Sequence, residues 1–565
     1  MSTSAVDLQN AQSHEIDVFL SALRESSAGF SRVSIAEKKS AINEIRNALL
    51  INSPEWIELC SRAKSLTTSS QRSEEVLSGP MSTARYLTLL LQSLTAIETH
   101  GKPRLPGKIS KLRDGRLKVP VFPANGIFDS IAYLGLTAEV WMKPGVDEES
   151  LHGDLLEPLL GTSEQPAPIS LVLGAGNVAS IPLTDSLSKL FQEGHLVLLK
   201  LNPVNDYLFD VYSKILAPVI ERGWLRIFCG DAEAGKYAVE HGDVQHVHIT
   251  GSHHTHDQIV WGATPEERQK RQEESDPALK KDITSELGNV TPWMIIPGKY
   301  SRKELQFQAG NLAASLTNNA AFNCITTRVI VTSKNWAQRE EFLGILKETL
   351  AKIPSRVPYY PGTLDRLERF TGEPAIVDEE GTLPWKILEN VHPEEMPQFF
   401  IDETFAPVCV EVQLDAETPE QFLDQAVVFC NEELFGTLAA SITVTDQFQK
   451  QNPAQIEDAI SRLNYGSVCI NQWAGLVYAL MTPPWGASCE NDLYDVQSGI
   501  GSVHNLYFLD QFEKTVFRGP LCNFPKPVWF SSHNHSEQIA WKLVDLYCQP
   551  SVFKLPGLLG PALLG

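Results

Sequence analysis

Ile169-Ser170-Leu171-Val172-Leu173-Gly174-Ala175-Gly176-Asn177 is an apolar run of strand length that breaks into glycines, and the flanking chain repeats its rhythm. A helical pattern follows from about Leu183 to Phe191. A second strand, Leu196-Val197-Leu198-Leu199-Lys200, is closed by Asn202-Pro203. A helix from about Tyr207 to Arg222 then leads to the short strand Leu225-Arg226-Ile227-Phe228, and His246-Val247-His248-Ile249-Thr250 is a further strand ending in Gly251-Ser252. Strands alternating with helices in this way predict a parallel, doubly wound α/β sheet with its ligand site at the carboxyl ends of the strands. Gly174-Ala175-Gly176 with Ala179 satisfies G-x-G-x-x-G/A, a pattern that an ordinary tight strand-to-helix turn explains about as well.

Upstream, residues 1–100 read as mostly helical, and Ser53-Pro54-Glu55 looks like an N-cap followed by proline at the first helical position. From Gly101 to about Leu171 the texture changes to prolines, glycines and short runs such as Leu117-Lys118-Val119-Pro120-Val121, the mark of an arm, hairpin or surface excursion. Downstream, Trp261 to Asp282 is highly charged and reads as a solvated helix or excursion. A second α/β region runs from about Thr284 to Cys489.

At 565 residues the chain holds more than one domain, and 43% apolar with 21% charged residues is the balance of a soluble globular protein. The formal charge of -22 argues against nucleic acid, which needs a basic face. Nine cysteines with no C-x-x-C pair do not make a disulfide framework, so a reducing cytoplasm is the expected home. The N-terminus lacks a basic stretch followed by an apolar one, so no signal peptide is expected. No run of about 18 apolar residues is present to span a membrane.

Ala314 to Thr332, ASLTNNAAFNCITTRVIVT, joins small and amide residues to a β-branched strand, with Cys324 at the hinge. A cysteine there can face a cleft, although most single cysteines are simply small buried hydrophobes. The other motifs change the odds. In order come Asn177; Lys200; Thr250-Gly251-Ser252; Glu286-Leu287-Gly288-Asn289; Phe322-Asn323-Cys324; Glu403-Thr404-Phe405-Ala406-Pro407; and Pro484-Trp485-Gly486 before Gln497-Ser498-Gly499. Their order and spacing resemble the aldehyde dehydrogenase superfamily over roughly Ser170 to Pro520.

The resemblance implies a doubly wound cofactor domain, a second α/β catalytic domain and a small oligomerisation arm. The corresponding boundaries are 1–283 (with an inserted arm at about 101–145), 284–490, a return segment at 491–520, and an apolar extension at 521–565. It implies Cys324 as the nucleophile, Glu286 as general base and Asn177 as donor to the oxyanion. It also implies Lys200 and Glu403 on the cofactor's ribose hydroxyls, Phe405 beside the nicotinamide, and Gly251 and Ser252 beside the pyrophosphate. The cofactor would be NAD or NADP, since Pro203 stands where many NAD-preferring members carry a glutamate. The expected reaction is oxidation of an aldehyde to its acid through a Cys324 thioester. A CoA-linked acyl reductase is the alternative, and a catalytically silent scaffold is the reading from another class. A homodimer or homotetramer assembled through an exchanged arm, 101–145 with 503–520, is expected by resemblance.

Several positions depart from the family pattern. Asn289 and Ala406 replace glycines, Asn323 precedes the cysteine, and Trp485 replaces a common phenylalanine. His241, His246, His248, His253, His254 and His256 crowd one stretch, but without fixed ligand spacing they are read as solvated or cofactor-proximal, and no metal is expected. The tail to Gly565 is apolar and rich in proline and glycine, which preclude a long amphipathic helix. It is expected to dock on its own subunit or a neighbour. A lid over a hydrophobic substrate entrance and a weak membrane-surface contact are the bolder readings.

Overall fold

In the computed structural model, which describes residues 5–565, the strand Ile169–Leu173 lies inside a six-stranded sheet. The sheet order is Gly499–Ile500, Asp282–Glu286, His246–Thr250, Ile169–Leu173, Leu196–Lys200, Leu225–Phe228. The last five are parallel, and Gly499–Ile500 adds an antiparallel edge. The chain leaves Ile169–Leu173 in one direction through two crossovers and then returns to its other side. The order therefore reverses between Ile169–Leu173 and His246–Thr250, which is where a doubly wound sheet opens its crevice. Leu196–Lys200 is buried at every position, as a strand covered on both faces must be.

A ten-stranded sheet forms the second body. Its parallel part runs Phe512–Arg518, Ser467–Ile470, Ala439–Thr443, Thr291–Ile295, Thr327–Ser333, Val408–Leu414, Lys386–Leu388. The arm strands Leu117–Phe122 and Thr137–Met142 continue it antiparallel from Phe512–Arg518. Both halves of the expected arm thus meet in one sheet, and that sheet is completed within this chain. The whole strand Asp282–Glu286 belongs to the first sheet, so a boundary at 283/284 cuts through it. The period of that strand carries no sign of which sheet it joins; only its ladder with His246–Thr250 decides.

Four helices precede the arm: Ala5–Phe30, Ile35–Ala63, Ser69–Val76 and Ser82–His100. Ser34 and Thr68 cap two of them, each with a reciprocal contact three residues on, from Glu37 and Gln71. Ser53-Pro54 does not start a helix; Ile35–Ala63 runs through it. Proline leaves the Leu50 carbonyl without its helical donor, but Trp56, Ile57 and Cys60 are fully buried beyond it. Tertiary burial outweighs the local break. The charged stretch after Trp261 contains the helix Pro265–Glu273, which buries no residue.

The tail closes back on these helices. Ser536–Cys548 packs on Ser69–Val76 and Ser82–His100, and the nine-residue helix Leu555–Leu563 packs on Ser536–Cys548. Arg85 ties three regions together. Its guanidinium is fully buried and bidentate to Asp129 of the arm at 2.6 and 2.8 Å, and it also donates to Tyr547 of the tail at 2.6 Å.

Candidate active site

Cys324 follows the helix Arg302–Thr317 and a tight turn, Asn318–Ala321, in which Asn319, Ala320 and Ala321 all have positive φ. Left-handed residues with a Cβ cost on the order of 1–3 kcal/mol each and persist only when neighbours over-determine them. Here they do. The Arg328 guanidinium donates to the Ala321 carbonyl at 2.8 Å and to the Ala406 carbonyl at 2.9 Å. The Asn319 amide donates to the carbonyls of Asn177 and Phe322 and to Asn323 Oδ1 at 3.0–3.1 Å. The same amide network explains Asn323, which donates in turn to Asn318 Oδ1.

That turn delivers the Cys324 thiol to Glu286 at the carboxyl end of Asp282–Glu286, with Sγ donating to Oε1 at 3.2 Å. Burial, then the charge of Asp185, pushes Glu286 up to about 7. Burial, then Glu286 and Glu403, pushes the thiol well above its ordinary value, so the resting sulfur is protonated. Asn177 sits in the turn after Ile169–Leu173 and donates Nδ2 to the Phe322 carbonyl at 2.9 Å. An amide nitrogen carries two N–H groups, and the second remains for a ligand.

Two cavities meet at Cys324. The first, of about 1110 Å³, follows the carboxyl ends of the parallel strands and contains Asn177, Lys200, Gly251, Ser252, Glu286, Cys324, Glu403 and Phe405. All eight residues singled out from the sequence therefore share one groove. Among the described residues, Lys200 Nζ donates a hydrogen bond only to the carbonyl of its neighbour Leu201, at 3.3 Å, and burial lowers its pKa. Glu403 keeps Oε1 buried without a hydrogen bond, 3.9 Å from the Arg328 guanidinium, and burial raises the carboxyl to about 7 against the pull of Arg328. Gly176 approaches Asn202 so closely that a Cβ would lie 2.7 Å from its Oδ1. Gly251 donates its N–H to the Glu286 carbonyl, and the Ser252 hydroxyl caps the helix His253–Val260. A carboxylate oxygen free of hydrogen bonds, a lightly held ammonium, a glycine-lined turn and a helix start fit a dinucleotide. Phe405 stands beside Phe322 and Tyr360, with ring centroids 5.6 and 4.9 Å away.

The second cavity, about 230 Å³, leads away from Cys324 and Glu286 on the opposite side. Its walls are apolar: Trp473, Leu476 and Trp485 from the second body, Met81 from the N-terminal helices, and Leu555 and Leu558 from the tail. The tail thus docks on its own chain and forms one end of this cavity.

Other residues of the site were not legible in sequence. Lys64, which caps the C-terminus of Ile35–Ala63, donates to the Asn177 carbonyl at 3.1 Å and to Asn319 Oδ1 at 3.2 Å, and pairs with buried Glu75 at 2.7 Å. Tyr359 donates to the same Asn177 carbonyl at 3.1 Å. Nothing in the spacing of Lys64 or Tyr359 marks them. Asn289 donates its amide to Thr291 Oγ1 and the Ala439 carbonyl and accepts from Leu438 N–H, so it bridges strands. Of the clustered histidines, His246 and His248 lie on a strand, whereas His253 and His254 sit beside the groove with ring centroids 3.9 Å apart. Among the described residues, ligand atoms of His253, His254 and Asp402 lie within 4.8 Å of one another.

No family model matches the sequence, and no curated protein matches it. Solved structures do match the fold. The aldehyde dehydrogenase KauB from Pseudomonas aeruginosa superposes with a TM-score of 0.59 at 16% identity over 89% of both chains. An indole-3-acetaldehyde dehydrogenase in complex with NAD+ gives 0.58 at 18% identity over 90% of this chain and 89% of that one. A cysteine-to-alanine mutant of aldehyde dehydrogenase C from Pseudomonas syringae, complexed with NAD+ and octanal, gives 0.59 at 15% identity over 89% and 88%. At these identities the likeness shows the fold: this chain has the α/β architecture of the aldehyde dehydrogenases.

Proposed function

We propose that this chain, built on that fold, oxidises an apolar aldehyde to its carboxylic acid with NAD or NADP, through a thioester on Cys324. The supporting observation is the 3.2 Å contact of Cys324 Sγ with Glu286 Oε1 where a polar groove and an apolar cavity meet. Lys200 and Glu403 would hold the cofactor's ribose, Gly251 and Ser252 its pyrophosphate, and Phe405 its nicotinamide end. The bound cofactor supplies a hydride acceptor.

The protein groups act in order. Glu286 takes the thiol proton, and the thiolate adds to the carbonyl carbon. The oxyanion is met by the free Asn177 N–H and the Cys324 backbone N–H. After hydride loss the acyl group is a thioester, and Glu286 takes a proton from the water that attacks it. A carboxyl near 7 suits both transfers, because it accepts and releases protons at neutral pH.

All nine cysteines are free, which fits a reducing compartment such as the cytoplasm. No helix is long and apolar enough to cross a membrane among the described residues. A homodimer or homotetramer remains the proposed assembly. If it forms by arm exchange, the pairing of Phe512–Arg518 with Ser467–Ile470 must re-form between copies. The testing experiment is turnover of aldehydes of increasing chain length with NAD or NADP, with and without CoA. Acid formation without CoA is expected; strict CoA dependence would assign the alternative reaction.

A further inference from the structure

Three side chains with metal-ligating atoms meet at the long groove, and the reaction above uses none of them. The helix His253–Val260 opens with His253 and His254 directly after Ser252. Asp402 closes the short helix Gln398–Ile401 of the second body, immediately before Glu403. All three line the groove. Among the described residues, a ligand atom from each lies within 4.8 Å of the other two. The two histidines show no ligand spacing in the sequence because the third group comes from the opposite wall of the groove.

These groups are free to bind. Asp402 Oδ2 accepts from Arg369 Nη2 at 2.9 Å, the only hydrogen bond to a ligand atom of the cluster among the described residues. That pair is weak, because the Arg369 side chain is 58% exposed and water competes for it. The ring of His253 is set between those of His254 and Phe435, with centroids 3.9 and 4.6 Å away. Burial lowers the pKa of His253, which keeps its ring in the neutral form that binds a metal. The start of a helix opposes a cation, but the charges of Asp402 and Asp257 reach His253 and offset that field. Two imidazoles and one carboxylate select a borderline transition ion over Mg2+ or Ca2+, which take oxygen ligands. Zn2+ bonds at about 2.0–2.1 Å, so tetrahedral ligand atoms stand about 3.4 Å apart. Rotation of exposed His254 and half-buried Asp402 about their side-chain torsions closes that difference.

We propose that His253, His254 and Asp402 bind Zn2+, and that the bound ion ties the two walls of the groove together and keeps the dinucleotide out. The exclusion rests on the reading of the groove as the cofactor site; the metal binding does not. Ser252, beside His253, is the residue assigned to the pyrophosphate, and Glu403, beside Asp402, is assigned to the ribose. An ion held by the three ligands therefore stands between the two anchors of the cofactor. A water completes the tetrahedron. The ion takes no part in the chemistry at Cys324 and acts as a reversible inhibitor that a chelator removes.

The test is calorimetric titration of the metal-free full chain with Zn2+, in the absence of cofactor. Binding is expected to weaken at least about tenfold in His253→Ala, His254→Ala and Asp402→Asn, the lower range even for groups that only support a metal's ligands. Mg2+ should not bind. His254 is exposed, so His254→Ala keeps the test open if the other variants do not fold. Co2+ is the second probe, because the chain also holds nine free cysteines. Its visible bands should appear without a thiolate charge-transfer band. Fluorescence titration with NAD then reads the exclusion: saturating Zn2+ should raise the apparent Kd at least about tenfold in wild type, leave it unchanged in His254→Ala, and lose its effect on adding chelator. Zinc affinity unchanged in all three variants, or a thiolate band with Co2+, overturns the metal site. NAD that binds equally well or more tightly with zinc overturns the exclusion. A wild type that binds zinc as expected but neither NAD nor NADP overturns the cofactor reading and the exclusion with it, and upholds the metal site.

Discussion

Lys64 Nζ donates to the backbone carbonyl of Asn177 at 3.1 Å, although the two residues lie 113 positions apart. A buried ammonium at the end of an N-terminal helix thereby holds the backbone of Asn177, the proposed oxyanion donor. Its charge is balanced by Glu75 at 2.7 Å, with both side chains almost fully enclosed.

Lys64→Met leaves Glu75 uncompensated in the interior, which costs about 3–5 kcal/mol. Denaturant unfolding should show that loss. Where the variant stays folded, the Asn177 carbonyl, left with Asn319 and Tyr359 as donors, should be held less firmly and lower kcat more than it changes the affinity for cofactor. Asn177→Ala is the comparison, with a loss of about 10²–10³ in kcat for one missing oxyanion donor.

Cys324→Ala should abolish aldehyde oxidation and leave cofactor binding intact, since Lys200, Gly251, Ser252, Glu403 and Phe405, the residues proposed to hold the cofactor, are untouched. Fluorescence titration with NAD and NADP checks binding, and absorbance at the nicotinamide band checks turnover. Retained turnover would remove the sulfur from the mechanism.

Glu286→Gln carries an opposite pair of effects. Burial raises the folded-state carboxyl from 4.5 to about 7. The protonated form is therefore favoured by folding, and this contribution is complete below pH 4.5, is lost between 4.5 and 7, and is absent above 7. The neutral amide escapes that loss. The variant should be more stable than wild type at pH 8 by about 3 kcal/mol, from about 1.4 kcal/mol per pH unit, and no more stable at pH 4. In wild type, acid release should rise with pH through about 7, and in Glu286→Gln it should be slow throughout.

Leu558 of the tail lines the apolar cavity that starts at Cys324. Leu558→Trp should shorten that cavity. Excluding four methylenes at about 0.8 kcal/mol each costs about 3 kcal/mol, so kcat/KM for a long unbranched aldehyde should drop roughly 200-fold. Propanal, which does not reach the tail, should be oxidised at the wild-type rate.

Much of this site was written locally. Asn177, Lys200 and Gly251 end strands whose apolar runs announce them, and in a doubly wound sheet such ends converge because every crossover has the same hand. Cys324, Glu286 and Glu403 could be named from motif order alone. Other features have no local signature. Ser53-Pro54 carries the mark of a helix start, yet the burial of Trp56 and Cys60 draws one helix through it. The strand Asp282–Glu286 belongs to the first sheet only because its ladder partner is His246–Thr250.

Short-range chemistry, then, determined the strand-and-helix rhythm and the strand ends that carry the candidate residues, because each depends on neighbours a few positions away. Tertiary structure alone decided that Lys64 holds the backbone of Asn177, that Arg328 clamps the cysteine turn, that the tail ends the apolar cavity, and that His253 and His254 meet Asp402. Those contacts join residues that are mostly tens to hundreds of positions apart, and their geometry exists only once the sheets and helices have packed.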